Sequence, residues 1–174
     1  IIDPGAGIDI VHAGSGDDLL IMSTIDSGDS IDGGDGLDSV QFDFSSQWTG
    51  VTIDGTVLAS GGAVLIGGAT FSSIERIWSI NGSHGDDVIL IASSETQVYQ
   101  TWLYEGNDSF TGGGGADTVN GNEGNDTLYG NAGDDRLYGW AGADRLYGQA
   151  GNDRLEGNEG NDRLDGADGN DELY

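Results

Sequence analysis

An aspartate recurs every nine residues through the C-terminal third of this chain: Asp117, Asp126, Asp135, Asp144, Asp153, Asp162 and Asp171. Around them, residues 112–174 divide without remainder into the nonapeptides GGGGADTVN, GNEGNDTLY, GNAGDDRLY, GWAGADRLY, GQAGNDRLE, GNEGNDRLD and GADGNDELY. Every copy has Gly at positions one and four, Asp at six, and an aliphatic residue at eight (Val119, Leu128, Leu137, Leu146, Leu155, Leu164, Leu173). Glycines permit positive φ and close backbone approach, so several carbonyls can point at one spot beside a carboxylate. That is a set of hard oxygen donors, suited to a hard divalent cation.

The elements that must position these donors follow from the same spacing. Positions one to six supply a turn and positions seven to nine a very short strand, of which only position eight faces inward. Such a strand buries nothing alone and has to stack on copies of itself. A coil of two repeats places repeat n over repeat n+2, about 4.8 Å away. Val119, Leu137, Leu155 and Leu173 then form one inner column, and Leu128, Leu146 and Leu164 the other. The aspartates stack likewise, Asp117 over Asp135 and Asp126 over Asp144. Carboxylates at that distance repel, and a cation between them reverses the sign. Calcium takes six to eight oxygens from carboxylates and carbonyls, whereas magnesium prefers a tighter octahedron and keeps its waters. Zinc would call for His or Cys, and the chain has two histidines and no cysteine.

The register continues upstream in weaker form. LYEGNDSFT (103–111) carries Asp108, and GSHGDDVIL (82–90) carries Asp87. Near the start, PGAGIDIVH and AGSGDDLLI carry Asp9 and Asp18; after two stray residues, TIDSGDSID and GGDGLDSVQ carry Asp29 and Asp38. TIDSGDSID lacks both expected glycines. Residues 42–80 break the pattern and read as an insert of short strands, at Phe42–Phe44, Val51–Ile53, Val64–Ile66 and Ile74–Ile80. Residues 91–102 form a second irregular piece. No segment has a 3.6-residue apolar period, so helix is expected to be scarce.

Composition narrows the function classes. In 174 residues there are 33 glycines, one proline, 31 acidic residues and five basic ones, for a net charge of −26. So negative a surface repels nucleic acid and anionic lipid and attracts cations. The absence of cysteine excludes disulfides, thiolate metal sites and a cysteine nucleophile. Apolar stretches such as Ala63–Ile66 fall far short of a membrane span, so neither nucleic-acid binding nor membrane insertion is expected. No HExxH, GxSxG or paired-acid cleft is visible, Gly112–Gly115 lacks the Lys of a phosphate loop, and no segment has EF-hand spacing. The chain is therefore not expected to be an enzyme.

The repeats resemble the RTX (haemolysin-type) calcium-binding nonapeptide GGxGxDxUx, and the insert, from GVTIDG to FSSIERIWSINGSHGDD, resembles the spacer common in that family. The resemblance implies an all-β fold, a right-handed parallel β-roll, with calcium in the turns between repeats n and n+2. It implies side-chain ligation by the position-six aspartates, with turn carbonyls completing each shell. Those carbonyls would come from Gly112, Gly114, Gly115, Gly121, Glu123, Gly124, Gly130, Ala132, Gly133, Gly139, Ala141, Gly142, Gly148, Ala150, Gly151, Gly157, Glu159 and Gly160. About five or six ions are implied for residues 103–174, and more if the upstream copies also bind. The sequence departs from the family pattern at position two, where Asn, Gln, Ala or Trp140 stands in place of Gly in six of the seven tandem copies.

Other residues read more plainly. Arg136, Arg145, Arg154 and Arg163 at position seven suit surface ion pairs. Tyr129, Tyr138 and Tyr147 suit stacked surface aromatics, and Trp140 a packing contact. His12 and His84 lie in turns, without a catalytic role. The Asn81, Asn107 and Asn125 sequons read as by-products of Gly-Asn-Asp turns.

The chain thus divides into degenerate repeats (1–41), a β-strand insert (42–81), degenerate repeats with an irregular link (82–111) and the tandem block (112–174). By the resemblance, it is expected to be a secreted, extracellular or cell-surface bacterial module that folds on calcium outside the cell after type I secretion. It would be building material of a surface layer, adhesin or filament, with roll ends open to self-association. The alternative is the non-catalytic module of a secreted metalloprotease, lipase or alginate epimerase.

Overall fold

A computed structural model describes residues 1–54, 64–66, 69–72, 76–91 and 100–174. Among them there is strand and turn and no helix. Ile74 of the expected fourth insert strand and residues 92–99 of the irregular link lie outside the described residues.

Two parallel sheets form the body of the roll. One runs β2 (Leu19–Met22), β4 (Ser39–Asp43), β8 (Arg76–Asn81), β10 (Gln100–Trp102), β12 (Thr118–Glu123), β14 (Arg136–Gly142), β16 (Arg154–Gly160) and β18 (Glu172–Leu173). The other runs β5 (Thr52–Asp54), β9 (Val88–Leu90), β11 (Ser109–Thr111), β13 (Thr127–Ala132), β15 (Arg145–Ala150) and β17 (Arg163–Asp168). A third sheet holds β1 (Ile10–His12), β3 (Ser30–Asp32), β7 (Ala69–Ser72) and β6 (Val64–Ile66), with β6 antiparallel to β7. From β8 onward consecutive strands alternate between the two long sheets, and upstream β1 and β3 of the third sheet alternate with β2 and β4, which is the topology of a parallel β-roll.

The coil length expected from the repeat is the one observed. Thr118 pairs with Arg136 and Arg136 with Arg154, while Thr127 pairs with Arg145 and Arg145 with Arg163. Upstream the coil lengthens: Leu19 pairs with Ser39 and Ile10 with Ser30, because the two stray residues after 21 are absorbed. The strands of 42–81 sit within these sheets, β8 between β4 and β10, and β5 beside β9.

Strand length differs from expectation. In the tandem block β12 to β17 are six or seven residues long and run on through positions one to three of the following repeat. The position-two residue explains this. Asn122, Asn131, Trp140, Gln149, Asn158 and Ala167 all have φ between 65° and 79°, so the chain bends there without leaving its neighbour. Pairing then resumes, for example Asn122 with Trp140 and Glu123 with Ala141. Trp140 has the φ of its counterparts and leaves its turn regular.

The position-eight residues form the expected columns as far as Leu155; at the last coil Leu164 is only partly buried and Leu173 is exposed. Val119, Leu128, Leu137, Leu146 and Leu155 are fully buried, and so are their upstream equivalents Leu20, Ile31, Val40 and Phe110.

Candidate metal centre

Each turn contains two hydrogen-bond ladders that run in opposite senses. The backbone N–H of a position-six aspartate donates to Oδ1 of the aspartate one coil further on. Asp108 donates to Asp126 (2.9 Å), Asp126 to Asp144 (2.8 Å) and Asp144 to Asp162 (2.9 Å) along one edge. Asp117 donates to Asp135 (2.7 Å), Asp135 to Asp153 (2.9 Å) and Asp153 to Asp171 (3.0 Å) along the other. The upstream copies repeat the motif: Asp9 to Asp29, Asp18 to Asp38 and Asp87 to Asp108, at 2.8–2.9 Å. The aspartate carbonyls in turn accept the position-seven N–H of the next coil, as Asp117 does from Arg136 at 2.8 Å. The predicted aspartates are therefore brought into register, and those from Asp87 to Asp153 are pinned at both backbone ends.

The second ladder uses position five, which sequence reasoning left without a role. Asn107 donates its N–H to Asp86, Asn125 to Asn107 and Ala143 to Asn125; Asn152 donates to Asp134 and Asn170 to Asn152, all at 2.7–3.1 Å. The recurrence of Asn or Asp before the invariant aspartate was the available signal.

The Oδ1 atoms that accept along the ladder are thus accounted for; several Oδ2 atoms are not, though Asp117 Oδ2 accepts the Gly113 N–H at 3.4 Å. Oδ2 of Asp9, Asp108, Asp126, Asp135, Asp144 and Asp153 is buried without a hydrogen-bond partner. In the tandem block this oxygen is turned toward the position-one glycine of its own repeat. A Cβ on Gly121 would overlap Asp126 Oδ2 and stand 3.0 Å from the carbonyl oxygen of Gly139; on Gly130 it would overlap Asp135 Oδ2 and stand 3.0 Å from the Gly148 carbonyl. An anionic and a neutral oxygen from successive coils therefore converge with no donor between them. This is the reason for glycine at position one, which has no positive φ; in the tandem block the expectation of positive φ holds only at position four, from Gly124 onward. Position four needs glycine on both counts. Gly142 has φ 149°, and a Cβ there would overlap the Gly124 carbonyl oxygen.

Burial is the main influence on these acids. It pushes the Asp108 carboxyl up to about 8 and those of Asp126 and Asp135 up to about 7, against the backbone N–H donated to each. Neighbouring carboxylates on the ladder add to the rise, and Asp144 and Asp153 are raised for the same reasons. Asp86, exposed beside them, is lowered by its hydrogen bonds from Asn107. Buried, partnerless carboxylate oxygens are costly unless a cation neutralises them.

The donor set fits calcium. Among the described residues no three acidic or histidine side chains converge on one point, so a cation here depends on main-chain carbonyls as well. A carboxylate and carbonyl shell suits a hard, high-coordination ion and leaves zinc unserved. Some of the expected carbonyls already carry ladder bonds: Glu123 accepts from Gly106 (2.9 Å), Ala141 from Gly124 (2.9 Å) and Ala150 from Gly133 (3.0 Å). A second lone pair remains on each.

Two predicted ligands sit differently. Asp29 Oδ1 accepts from Asp9 and its Oδ2 from Asp26, both at 2.9 Å. Asp87 Oδ1 accepts from the Val51 N–H and the Ser83 hydroxyl, and its Oδ2 from the Ser83 N–H, all at 2.7 Å. Asp162 and Asp171 hold the ladder position but are only half-buried.

The outer face departs from one expectation. Of the position-seven arginines, Arg154 pairs with Glu156 and Glu172, whereas Arg163 lies over the Tyr147 ring at 5.7 Å. Tyr129 and Tyr147 stack at 4.7 Å as expected, whereas Tyr138 lies in the other long sheet and packs against Trp140 instead.

Comparison with known proteins bears on the same residues. No curated protein matches the chain. The family model described as the RTX calcium-binding nonapeptide repeat (4 copies) matches residues 3–21, 104–128, 111–146, 120–155 and 138–173, which together make up just over half of the chain.

Proposed function

The chain belongs to the RTX calcium-binding nonapeptide-repeat family, and on that footing we propose that it is a secreted structural module whose tandem block folds when calcium binds outside the cell. The observation that carries this is the column of buried, partnerless Oδ2 atoms at Asp108, Asp126, Asp135, Asp144 and Asp153. Without a cation those carboxylates, on a chain of charge −26, oppose the fold they occupy. With one, each site's binding free energy becomes folding free energy. The position-six aspartates of residues 103–174 supply the side-chain ligands, and carbonyls at positions one, three and four, such as those of Gly121, Glu123 and Gly124, complete the shells. In the low-calcium cytosol such a chain stays open enough for export, and it locks where calcium is millimolar. The rigid roll then serves as building material, and no residue of it is assigned a catalytic role.

The test is a calcium titration of the chain followed by far-UV circular dichroism and light scattering on one sample, with magnesium as control. A cooperative coil-to-β transition at sub-millimolar to millimolar calcium, absent with magnesium, is the expected result. Scattering that rises with it would mark self-association of rolls. A chain that is fully β-rich in chelator and indifferent to calcium would remove the switch.

A further inference from the structure

Among the turns that carry a position-six aspartate, those of Asp29 and Asp87 have donors on both carboxylate oxygens, and the one at 82–87 is the more completely closed. Asp87 is fully buried, as is Ser83, and the two carboxylate oxygens receive three hydrogen bonds of 2.7 Å, from the Ser83 N–H, the Ser83 hydroxyl and the Val51 N–H one coil before. The Ser83 Oγ also accepts the Gly85 N–H at 3.1 Å. Both oxygens of Asp87 carry donors, in contrast to the orphaned Oδ2 of Asp108, the next aspartate on the same edge. The contrast comes from position two. In the tandem copies from residue 121 onward that residue is bent to positive φ, and its side chain leaves the carboxylate alone; Ser83 has no positive φ and turns both its donors onto Asp87.

We infer that Ser83 does for Asp87 what a cation does for the other turns, so that the 82–87 turn, with the apolar core it covers, is a calcium-independent nucleus onto which the cation-dependent coils are built. This rests on the calcium-dependent folding proposed above. The packing supports it: Ile53, Ile80, Ile89 and Phe110 lie on the adjoining strands at 0–1% exposure. The geometry also gives the nucleus a growing end. The Asp87 N–H donates to Asp108 Oδ1 at 2.8 Å, so the closed carboxylate fixes the register of the first open one.

Two measurements on the full chain test this. Hydrogen exchange in chelator should show the amides of 51–54 and 83–90 protected at least about tenfold over those of 117–173, with calcium then protecting the latter. Equal exchange of the two sets in chelator overturns the nucleus. Calcium stoichiometry should be unchanged in Asp87→Asn and in the milder Ser83→Ala, but lower in Asp126→Asn. A lower calcium count in Asp87→Asn or Ser83→Ala, with β content at the wild-type level, places a cation in the closed turn and overturns the assignment. If the wild-type chain binds no calcium at all, the proposed function fails, while the exchange comparison in chelator still decides the nucleus.

Discussion

Upstream of residue 111 the roll is filled, and downstream it is only lined. Its largest fully buried side chains, Phe42, Phe44, Phe110, Leu20, Met22, Ile31, Ile53 and Ile80, all belong to the upstream region. Each is worth about 1.5–3 kcal/mol of burial. The tandem block as far as Leu155 buries one Val or Leu per nine residues, and no other large apolar side chain of the repeat reaches the interior. The carboxylates follow that division only in part, since Asp9 and Asp108, upstream, also keep a buried Oδ2 without a partner. Asp29 and Asp87 are closed by main-chain and serine donors, whereas Asp126, Asp135, Asp144 and Asp153 each keep a buried oxygen without a partner. Where a turn on the large core satisfies its own carboxylate, as at Asp87, stability needs no ion there; where the core is thin, stability is left to a bound ion and can be switched.

The widest separation between the two regions should come from core truncations measured in calcium and again in chelator. Phe42→Ala removes a fully buried aromatic and is expected to cost about 3–5 kcal/mol under both conditions, read as lost amide protection upstream. Leu137→Ala is expected to cost about 2–5 kcal/mol in calcium. In chelator it should change nothing, since the coil it stabilises is not formed. A Leu137→Ala effect that persists in chelator would mean the thin core stands unaided, and the comparison would collapse.

Protons are the second probe, because they neutralise the same oxygens a cation does. Burial raises the folded-state carboxyls of Asp126 and Asp135 to about 7 and Asp108 to about 8, above the ordinary value near 3.9. The folded block therefore binds more protons than the unfolded chain. Its cation-free stability is fully present below about pH 4 and is lost as pH rises through 7 to 8. In chelator, far-UV circular dichroism should show β content in the tandem block growing as pH falls from 8 to 5. In calcium the dependence inverts, with weaker binding at pH 5 than at pH 7.5 because proton and ion compete. A pH-independent calcium affinity would mean that these carboxylates are not the ligands.

Much of this was legible from spacing. The nine-residue recurrence of Asp and Leu fixes the coil, the inner columns and the stacking of Asp117 on Asp135, since a parallel ladder leaves no other way to bury position eight. The two stray residues after 21 announce the longer upstream coil. The division of labour between the glycines was not legible: φ and steric overlap look the same in a sequence, and only coordinates show that Gly121 is small for Asp126 Oδ2 while Gly142 is both small and left-handed. Ser83 escaped notice because a serine at position two is unremarkable until both its donors reach Asp87. Thr101 escaped because it follows residues 91–99, where the repeat register lapses.

That threonine offers a smaller test in the stabilising direction. Thr101 is fully buried in a column of apolar residues, registered between Ile80 and Val119, and its hydroxyl has no hydrogen-bond partner. Thr101→Val keeps the shape and removes a buried polar group, so it should stabilise the chain by about 1–2 kcal/mol in chemical denaturation. A loss of stability would reveal a partner for the hydroxyl in solution.

The smallest effects are expected at position two, where six side chains of the tandem block hold a left-handed backbone. Ala167, at φ 65°, has no side-chain atoms beyond Cβ to lose, so Ala167→Gly should stabilise the roll in calcium by a few tenths to about 1 kcal/mol. Trp140, at φ 75°, is the harder case. Its indole is half exposed, donates to Asn120 Oδ1 at 3.3 Å and leans on Tyr138 at 6.5 Å. If the indole only decorates the surface, Trp140→Gly should gain as much as Ala167→Gly. If Trp140→Gly loses stability while Ala167→Gly gains it, the indole offsets its own backbone cost. The outer face would then contribute to holding a roll whose interior is thin, and the contrast between filled and lined regions would have to include what is stacked on the outside.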